Sequence, residues 1–528
     1  MNFKHGEEHM LYNNTIWAGL DMDTNEKVCI LPRMANRHGL IAGATGTGKT
    51  ITLKVLAESF SNMGVPVFLS DIKGDLSGMI KPGVDNANMQ ERIQYFGLDK
   101  EGFTYQNFPT QFWDISGKKG LPLRTTVSEF GPTLLSRILG LTDLQTNILT
   151  IIFRIADEEN LLLLDTKDLR SMVQYVAQNN KKYSSQYGNM TTASLNAILR
   201  SIVALETAGA DKFFGEPAID IHDFFRQDSD GRGMINILEA ESTVQNPVIY
   251  ATFMLYMLSE LFEQLPEVGD RDKPKMVYFF DEAHLLFNDA PKALVDKIEQ
   301  VVKLIRSKGV GIFFITQNPS DVPDSVLAQL GNKIQHALHA YTPSEEKKVK
   351  AAADSFRVNK NFNTVEVLQN LGTGEALISF LDEDGKPDNV RRCRVLPPQS
   401  LMGPADDSSR LMVMNSSDFA EKYSEEVDRD SAYEFFKRLT DEATAEAARI
   451  EAEKQAEKDA EALAKAQAKA NKEKMTAVKS VGRSTAGTLG REAGGAIGKT
   501  FLGTFGKRVG GNIGAALGRG LLDTFFKS

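Results

Sequence analysis

An α/β fold with a mostly parallel sheet is what this 528-residue sequence predicts, and three observations predict it. A strand, a glycine-rich turn and an amphipathic helix follow one another across residues 38–61. Short β-rich apolar runs then recur along the chain, separated by segments of helical apolar spacing, which is the rhythm of strand–crossover–strand units. Those runs are apolar on successive residues, as strands covered on both faces must be. A mainly helical insertion and a helical, low-complexity C-terminal tail complete the outline.

Taken in order, extended runs at Ile16–Leu20 and Lys27–Leu31 lead into a strand at His38–Ala42. The turn Gly43–Gly48 opens a helix over Thr50–Ser61, where Ile51, Leu53, Val55, Leu56 and Phe60 have helical spacing, and a compact strand follows at Val65–Ser70. Residues 1–80 are thus a lead-in and the first part of the core. Residues 81–230 read as a helical insertion, with amphipathic segments at Leu134–Leu139, Gln145–Ala156 and Leu195–Leu205 and a strand at Gln111–Ile115. Residues 231–400 return to the core with strands at Met234–Leu238, Met276–Phe280, Gly311–Thr316 and Lys333–Leu338. Helices at Val248–Gln264 and Pro291–Arg306 separate them, and a hairpin of Ala376–Leu381 with Asn389–Val395 turns at Asp384-Gly385. Pro397-Pro398 closes the globular part, and residues 401–478 read as a linker and an Ala/Glu/Lys-rich helix whose alanine seam buries little. Residues 479–528 form a basic tail striped by Gly482, Ala486, Gly490, Gly494, Gly498, Gly506, Gly510, Gly514 and Gly518, a period of four broken at Leu502. Such a stripe suits close helix approach; the alternative is a glycine-rich tail without fixed structure.

Composition narrows the function. The chain carries 61 basic and 70 acidic residues, net −9; residues 1–440 hold 46 against 59, and the remainder 15 against 11. An acidic body excludes a protein that simply coats phosphates, so a nucleic-acid role needs its positive charge gathered in a groove or pore. Cys29 and Cys393, the two cysteines, have no ligand spacing, which excludes a disulfide scaffold and a zinc module and fits a cytoplasmic protein. The first eight residues lack the apolar core of a signal peptide. The longest apolar stretch, near Val248–Leu258, is about half a bilayer span, so no transmembrane segment is expected.

Five features carry chemistry. Gly43-Ala44-Thr45-Gly46-Thr47-Gly48-Lys49-Thr50 matches the P-loop in full, between an apolar strand and a helix. Its glycines let backbone N–H groups turn inward on phosphate oxygens, Lys49 reaches the β- and γ-phosphates, and the Thr50 hydroxyl holds Mg²⁺. Met276–Phe280 is an apolar strand ending in Asp281 and Glu282, the Walker B pattern, in which Asp281 serves the metal and Glu282 polarises the attacking water. Gln317 ends the strand Gly311–Thr316 and is placed to sense the γ-phosphate or orient water. Arg306 closes a helix just before that strand, either as a helix C-cap or as an arginine finger toward a neighbouring subunit. Asp71-Ile72-Lys73-Gly74-Asp75 follows the second strand at the ligand-binding edge of such sheets, where Asp71 or Asp75 joins the metal network or serves as a turn acid. His284 reads as a helix-start residue. The set points to ATP and Mg²⁺ as ligands and to hydrolysis as the reaction.

These residues resemble the HerA/FtsK group of ring-forming P-loop ATPases, and more closely its bacterial HerA-like members. The resemblance covers roughly residues 14–400 and rests on residues 38–50, 71–75 and 280–284 and on Arg306 through Gln317, in that order and spacing. It implies a RecA-like core, a homo-hexameric ring with ATP between subunits, Glu282 as the catalytic base beside Lys49, Arg306 acting in trans and Gln317 as sensor. It further implies double-stranded DNA threaded through the pore, that is, a translocase or helicase-like motor. The core also resembles ATPases that handle protein cargo. The competing reading is an ATP-switched assembly factor whose tail docks a protein partner or an anionic membrane surface.

Overall fold

All strands of the described residues join one sheet. The computed structural model describes residues 10–209, 212–241, 247–269, 271–287 and 292–481. Its strands are β1 (Leu11–Tyr12), β2 (Thr15–Asp21), β3 (Lys27–Ile30), β4 (Gly39–Ala42), β5 (Val67–Asp71), β6 (Thr110–Asp114), β7 (Leu121–Pro122), β8 (Ile235–Glu239), β9 (Met276–Phe280), β10 (Val310–Thr316), β11 (Asn332–Gln335), β12 (Glu375–Ser379) and β13 (Arg391–Val395). The order is β1-β2-β13-β12-β11-β4-β10-β9-β5-β8-β6-β7, with β3 paired to β2. From β11 to β7 every pairing is parallel, and from β12 to β1 every pairing is antiparallel. The expected strands are present, with ends displaced by at most three residues.

The continuous apolar runs are explained by two cores, one on each face. In β9, Met276, Tyr278 and Phe280 enter one cluster while Val277 and Phe279 enter the other. The second cluster is closed by the helix Lys49–Asn62 through Leu53, Leu56, Ala57 and Phe60. The first is closed by the helices Pro247–Gln264 and Lys292–Ile305 and by helices between residues 127 and 207.

Two expectations are corrected. Residues 81–230 do supply the long helices Val127–Ile138, Asp143–Glu158, Thr166–Gln178 and Thr192–Thr207, but they also supply β6 and β7, and their apolar faces share the sheet's own core. Trp113 of β6 shows why, since it is fully buried against Phe224, Phe419 and Tyr423. The globular part also does not close at Pro398. Residues through Leu439 belong to one compact unit, and Thr440 onward forms a second. Residues 399–432 are strapped to the core by buried polar groups: Gln399 and Ser400 on Glu58, Arg410 on Glu239, Ser417 on Gln111, Tyr423 on Asp223 and Ser431 on Asp168. The strap is mostly polar, with Phe419 and Tyr423 as isolated apolar anchors, so it left no hydrophobic period to read. The described residues of the second unit, 440–481, are helical and largely exposed as far as residue 474; the glycine stripe lies outside the described residues. No helix among the described residues is long and apolar enough to cross a membrane.

Candidate functional site

The site lies along the carboxyl ends of β4, β10, β9 and β5, four parallel strands adjacent in that order. Residues 43–48 connect β4 to the helix Lys49–Asn62, whose first turn offers unpaired N–H groups. Gly43 is required by crowding: a Cβ there would stand 2.5 Å from the Cβ of His336. Gly48 has φ +118, and its Cβ would meet the backbone of Gly374 at 3.3 Å. Gly46, by contrast, faces open space. The Lys49 ammonium is buried and rests on its own loop, donating to the carbonyls of Gly43 at 2.6 Å and Ala44 at 3.1 Å. Burial lowers its pKa, against the pull of Glu282. A buried cation with only carbonyl partners beside an open glycine cradle fits a phosphate.

His336, which sequence reasoning missed, seats this loop. It is fully buried, with Nδ1 against the carbonyl of Glu375 and Nε2 against the hydroxyl of Thr52, both at 2.8 Å. The carbonyl can only accept, so Nδ1 carries a proton. Burial drives its pKa down to about 4. Its signal was only a histidine at a strand end, which no spacing distinguishes from a core residue.

At β9 the chain turns sharply. The N–H of Asp281 donates to Ser70 Oγ at 3.3 Å, that of Glu282 to Asp281 Oδ1 at 2.9 Å, and that of Ala283 to the Ile315 carbonyl at 2.7 Å. Glu282 itself sits at φ +48, an uncommon conformation for a residue with a side chain. Its carboxylate receives Lys73 Nζ on Oε1 at 2.7 Å. Nδ1 of His284, the first residue of the short helix His284–Phe287, lies 3.2 Å from Oε2 but outside hydrogen-bond alignment, leaving that oxygen without a hydrogen-bond partner among the described residues. Burial works to raise the Glu282 pKa, but Lys73, His284 and Lys49 hold it below the usual value. Asp281 moves the other way, up to about 6, through burial and the adjacent Glu282.

That pocket is short of positive charge, as a site for a divalent cation is. Among the described residues no cluster of three His, Cys, Asp or Glu side chains is poised to hold a metal alone. One hydroxyl, Thr50, and one carboxylate, Asp281, suit Mg²⁺, which keeps waters and takes phosphate oxygens.

Gln317 is exposed at the tip of β10 and lines a cleft of about 420 Å³ with Ala44, Thr45, His284, Tyr341 and Lys348. Asp71 serves its own turn, accepting from the N–H groups of Lys73 at 3.2 Å, Gly74 at 2.7 Å and Leu76 at 2.9 Å; Asp75 keeps a buried, unpartnered Oδ1. Arg306 is the one predicted residue not brought to the site. It precedes β10 and lies near His38, at the opposite edge of the sheet. With about 3.3 Å of rise per residue, the ends of β10 are about 20 Å apart. Its guanidinium has no hydrogen bond or ion pair to a described residue, and the helix Lys292–Ile305 has already ended, so Arg306 lies in the short 3₁₀ turn Arg306–Lys308 that Gly309 ends.

The sequence profile described as Helicase HerA-like C-terminal matches residues 18–522. The chain belongs to that family. Among curated HerA-like relatives, the DNA double-strand break repair helicase HerA of Sulfolobus acidocaldarius is 24% identical over 361 residues, 67% of this chain and 64% of that protein. That of Sulfurisphaera tokodaii is 23% identical over 381 residues, 69% and 66% of the two chains. The HerA-like chain therefore spans just under two thirds of the length of these relatives. Solved structures similar to it include the bacterial conjugative coupling protein TrwBdeltaN70, at 13% identity and TM-score 0.48 over 70% of this chain and 87% of that one. Another is VirB4 of Thermoanaerobacter pseudethanolicus, at 17% identity and TM-score 0.46 over 75% and 97%.

Proposed function

We propose that this chain is a Mg²⁺-dependent ATPase whose hydrolysis drives a ring-forming motor on double-stranded DNA in the cytoplasm. The observation that carries the hydrolytic part is Glu282. A carboxylate kept ionised in a buried pocket, held on a left-handed backbone within the electrostatic reach of Lys49 and one strand away from the tip of β10, is placed to take a proton from water. Backbone N–H groups of residues 43–50 and Lys49 would hold the triphosphate; Thr50 and Asp281 would hold Mg²⁺, which when bound neutralises phosphate charge. Gln317 orients the attacking water. The water oxygen bonds to the γ-phosphorus, the bond to the β–γ bridging oxygen breaks, and Glu282 receives the proton, leaving ADP and phosphate.

The ring reading rests on Arg306, which stands about 20 Å from its own P-loop edge and would, as an arginine finger, act on another subunit's nucleotide rather than its own. Family membership and the relatives' DNA-repair names favour DNA as the cargo. The experiment is steady-state ATP hydrolysis with Mg²⁺, with and without double-stranded DNA. The expected result is turnover that DNA raises and that Lys49→Ala abolishes. Turnover indifferent to DNA would overturn the cargo assignment in favour of protein handling, and no turnover would overturn the enzyme assignment.

A further inference from the structure

The loop after β5 is built to present one cation. Both oxygens of Asp71 are occupied by backbone N–H groups of Lys73, Gly74 and Leu76, and Gly74 takes φ +77. Asp71 thus holds the loop in a single shape that leaves Lys73 half exposed at the tip. The β5–β9 register, Leu69 opposite Phe279, sets the ends of the two strands side by side, and Ser70 Oγ ties them through the Asp281 N–H. Tyr250 in turn donates to Ser70 Oγ at 2.8 Å, fixing that link from beneath.

Lys73 Nζ meets Glu282 Oε1 at 2.7 Å, its one hydrogen bond to a described residue. An ammonium has three donors, so two remain for another acceptor. Lys73 is also close enough to Lys49 for each to oppose the other's charge. Two ammonium groups, Lys49 and Lys73, share this place with the carboxylates of Glu282 and Asp281, so a γ-phosphate held by Lys49 arrives within reach of a second cation. Glu282 supplies one negative charge there; a triphosphate brings more.

Resting on the ATPase reading above, we propose that Lys73 is the triphosphate-sensing residue of the site: it ties down Glu282 when no γ-phosphate is present and transfers to the γ-phosphate oxygens when one binds. A carboxylate that accepts a hydrogen bond from an ammonium is a poor acceptor for a water proton, so the tie suppresses the base. Transfer of Lys73 releases Glu282 and adds a cation where charge accumulates during phosphoryl transfer. The diphosphate offers no γ-oxygen, so with ADP the tie persists. Lys73 is thereby a determinant of preference for triphosphate over diphosphate and a positioning residue for Glu282.

The test uses the full chain and binding as its readout, with fluorescent ADP and a fluorescent non-hydrolysable ATP analogue. In the parent protein the analogue binds more tightly than ADP. In Lys73→Ala the ratio of the two dissociation constants falls by about tenfold or more, as expected for losing a hydrogen bond to a charged group. ADP affinity holds, which also reports that the site is folded. Lys73→Arg keeps most of the ratio, since a guanidinium also donates to phosphate. Glu282→Gln, which removes the tie, tightens the analogue relative to ADP, and does so less in the Lys73→Ala background. An unchanged ratio in Lys73→Ala, or the same Glu282→Gln effect in both backgrounds, overturns the Lys73 assignment. A parent protein that binds neither nucleotide overturns the ATPase reading on which it rests.

Discussion

Glu282 shows how a single backbone choice creates chemistry. At φ +48 it pays a conformational cost of order 1–3 kcal/mol, and the turn is held by three hydrogen bonds from residues 281–283. Replacing it with glutamine keeps the shape but removes the proposed base, so hydrolysis should fall by about 10²–10⁴-fold while the protein still binds nucleotide, as phosphate-release and binding assays would report. The buried histidines set a pH limit. His38 and His336 are both held near pKa 4 by burial, below the ordinary value of 6.5. Their neutral forms belong to the fold, so their stability contribution is complete above pH 6.5 and is lost as pH falls toward 4. Each is linked to on the order of 3 kcal/mol across that window. Thermal melts from pH 7 to pH 4.5 should show a falling Tm, with a shallower fall in His336→Gln. The P-loop and Walker B residues were legible because their chemistry demands particular residue types at set spacing. Lys73 and His336 were not, since only their neighbours, brought from residues 282 and 375, distinguish them from ordinary surface or core side chains.

At the scale of elements, apolar strands and amphipathic helices were readable from their periods, and polar connections were not. The segment Gln399–Ser431 looked like a linker because most of its anchors are polar side chains, with Phe419 and Tyr423 as isolated apolar ones, and local pattern carries no trace of them. Its strongest clamp is Arg410 on Glu239, both side chains buried, joining the helix Asp407–Asn415 to the end of β8. Removing one partner strands a buried charge. Arg410→Ala should therefore cost about 3–5 kcal/mol, visible as a lower urea midpoint, and pairing it with Glu239→Gln should recover a large part. β6 was recognised as a strand but assigned to an insertion, because nothing local states which sheet a strand will join. Its partner β8 lies more than 100 residues further on.

At the scale of the molecule, the sheet places the P-loop and Arg306 at opposite edges, so on the proposed reading a complete site takes its arginine from a second copy. Alone, Arg306→Ala and Glu282→Gln should each be nearly inactive, the former down about 10³-fold or more. Mixed, they should regain activity, because some interfaces then unite an intact base with an intact arginine. A chain ending at residue 439 should melt at the temperature of the full chain, since the unit closes there, whereas one ending at Pro398 loses the strap and should melt well below it. The sequence by itself determined the P-loop and Asp281-Glu282 motifs and the alternation that makes an α/β sheet, because short-range spacing dictates both. Only the tertiary structure decided that Lys73 ties down Glu282, that His336 seats the P-loop, that residues 399–432 belong to the core and that Arg306 faces away. Those facts depend on strand order and on side chains far apart in the chain, which local periodicity does not encode.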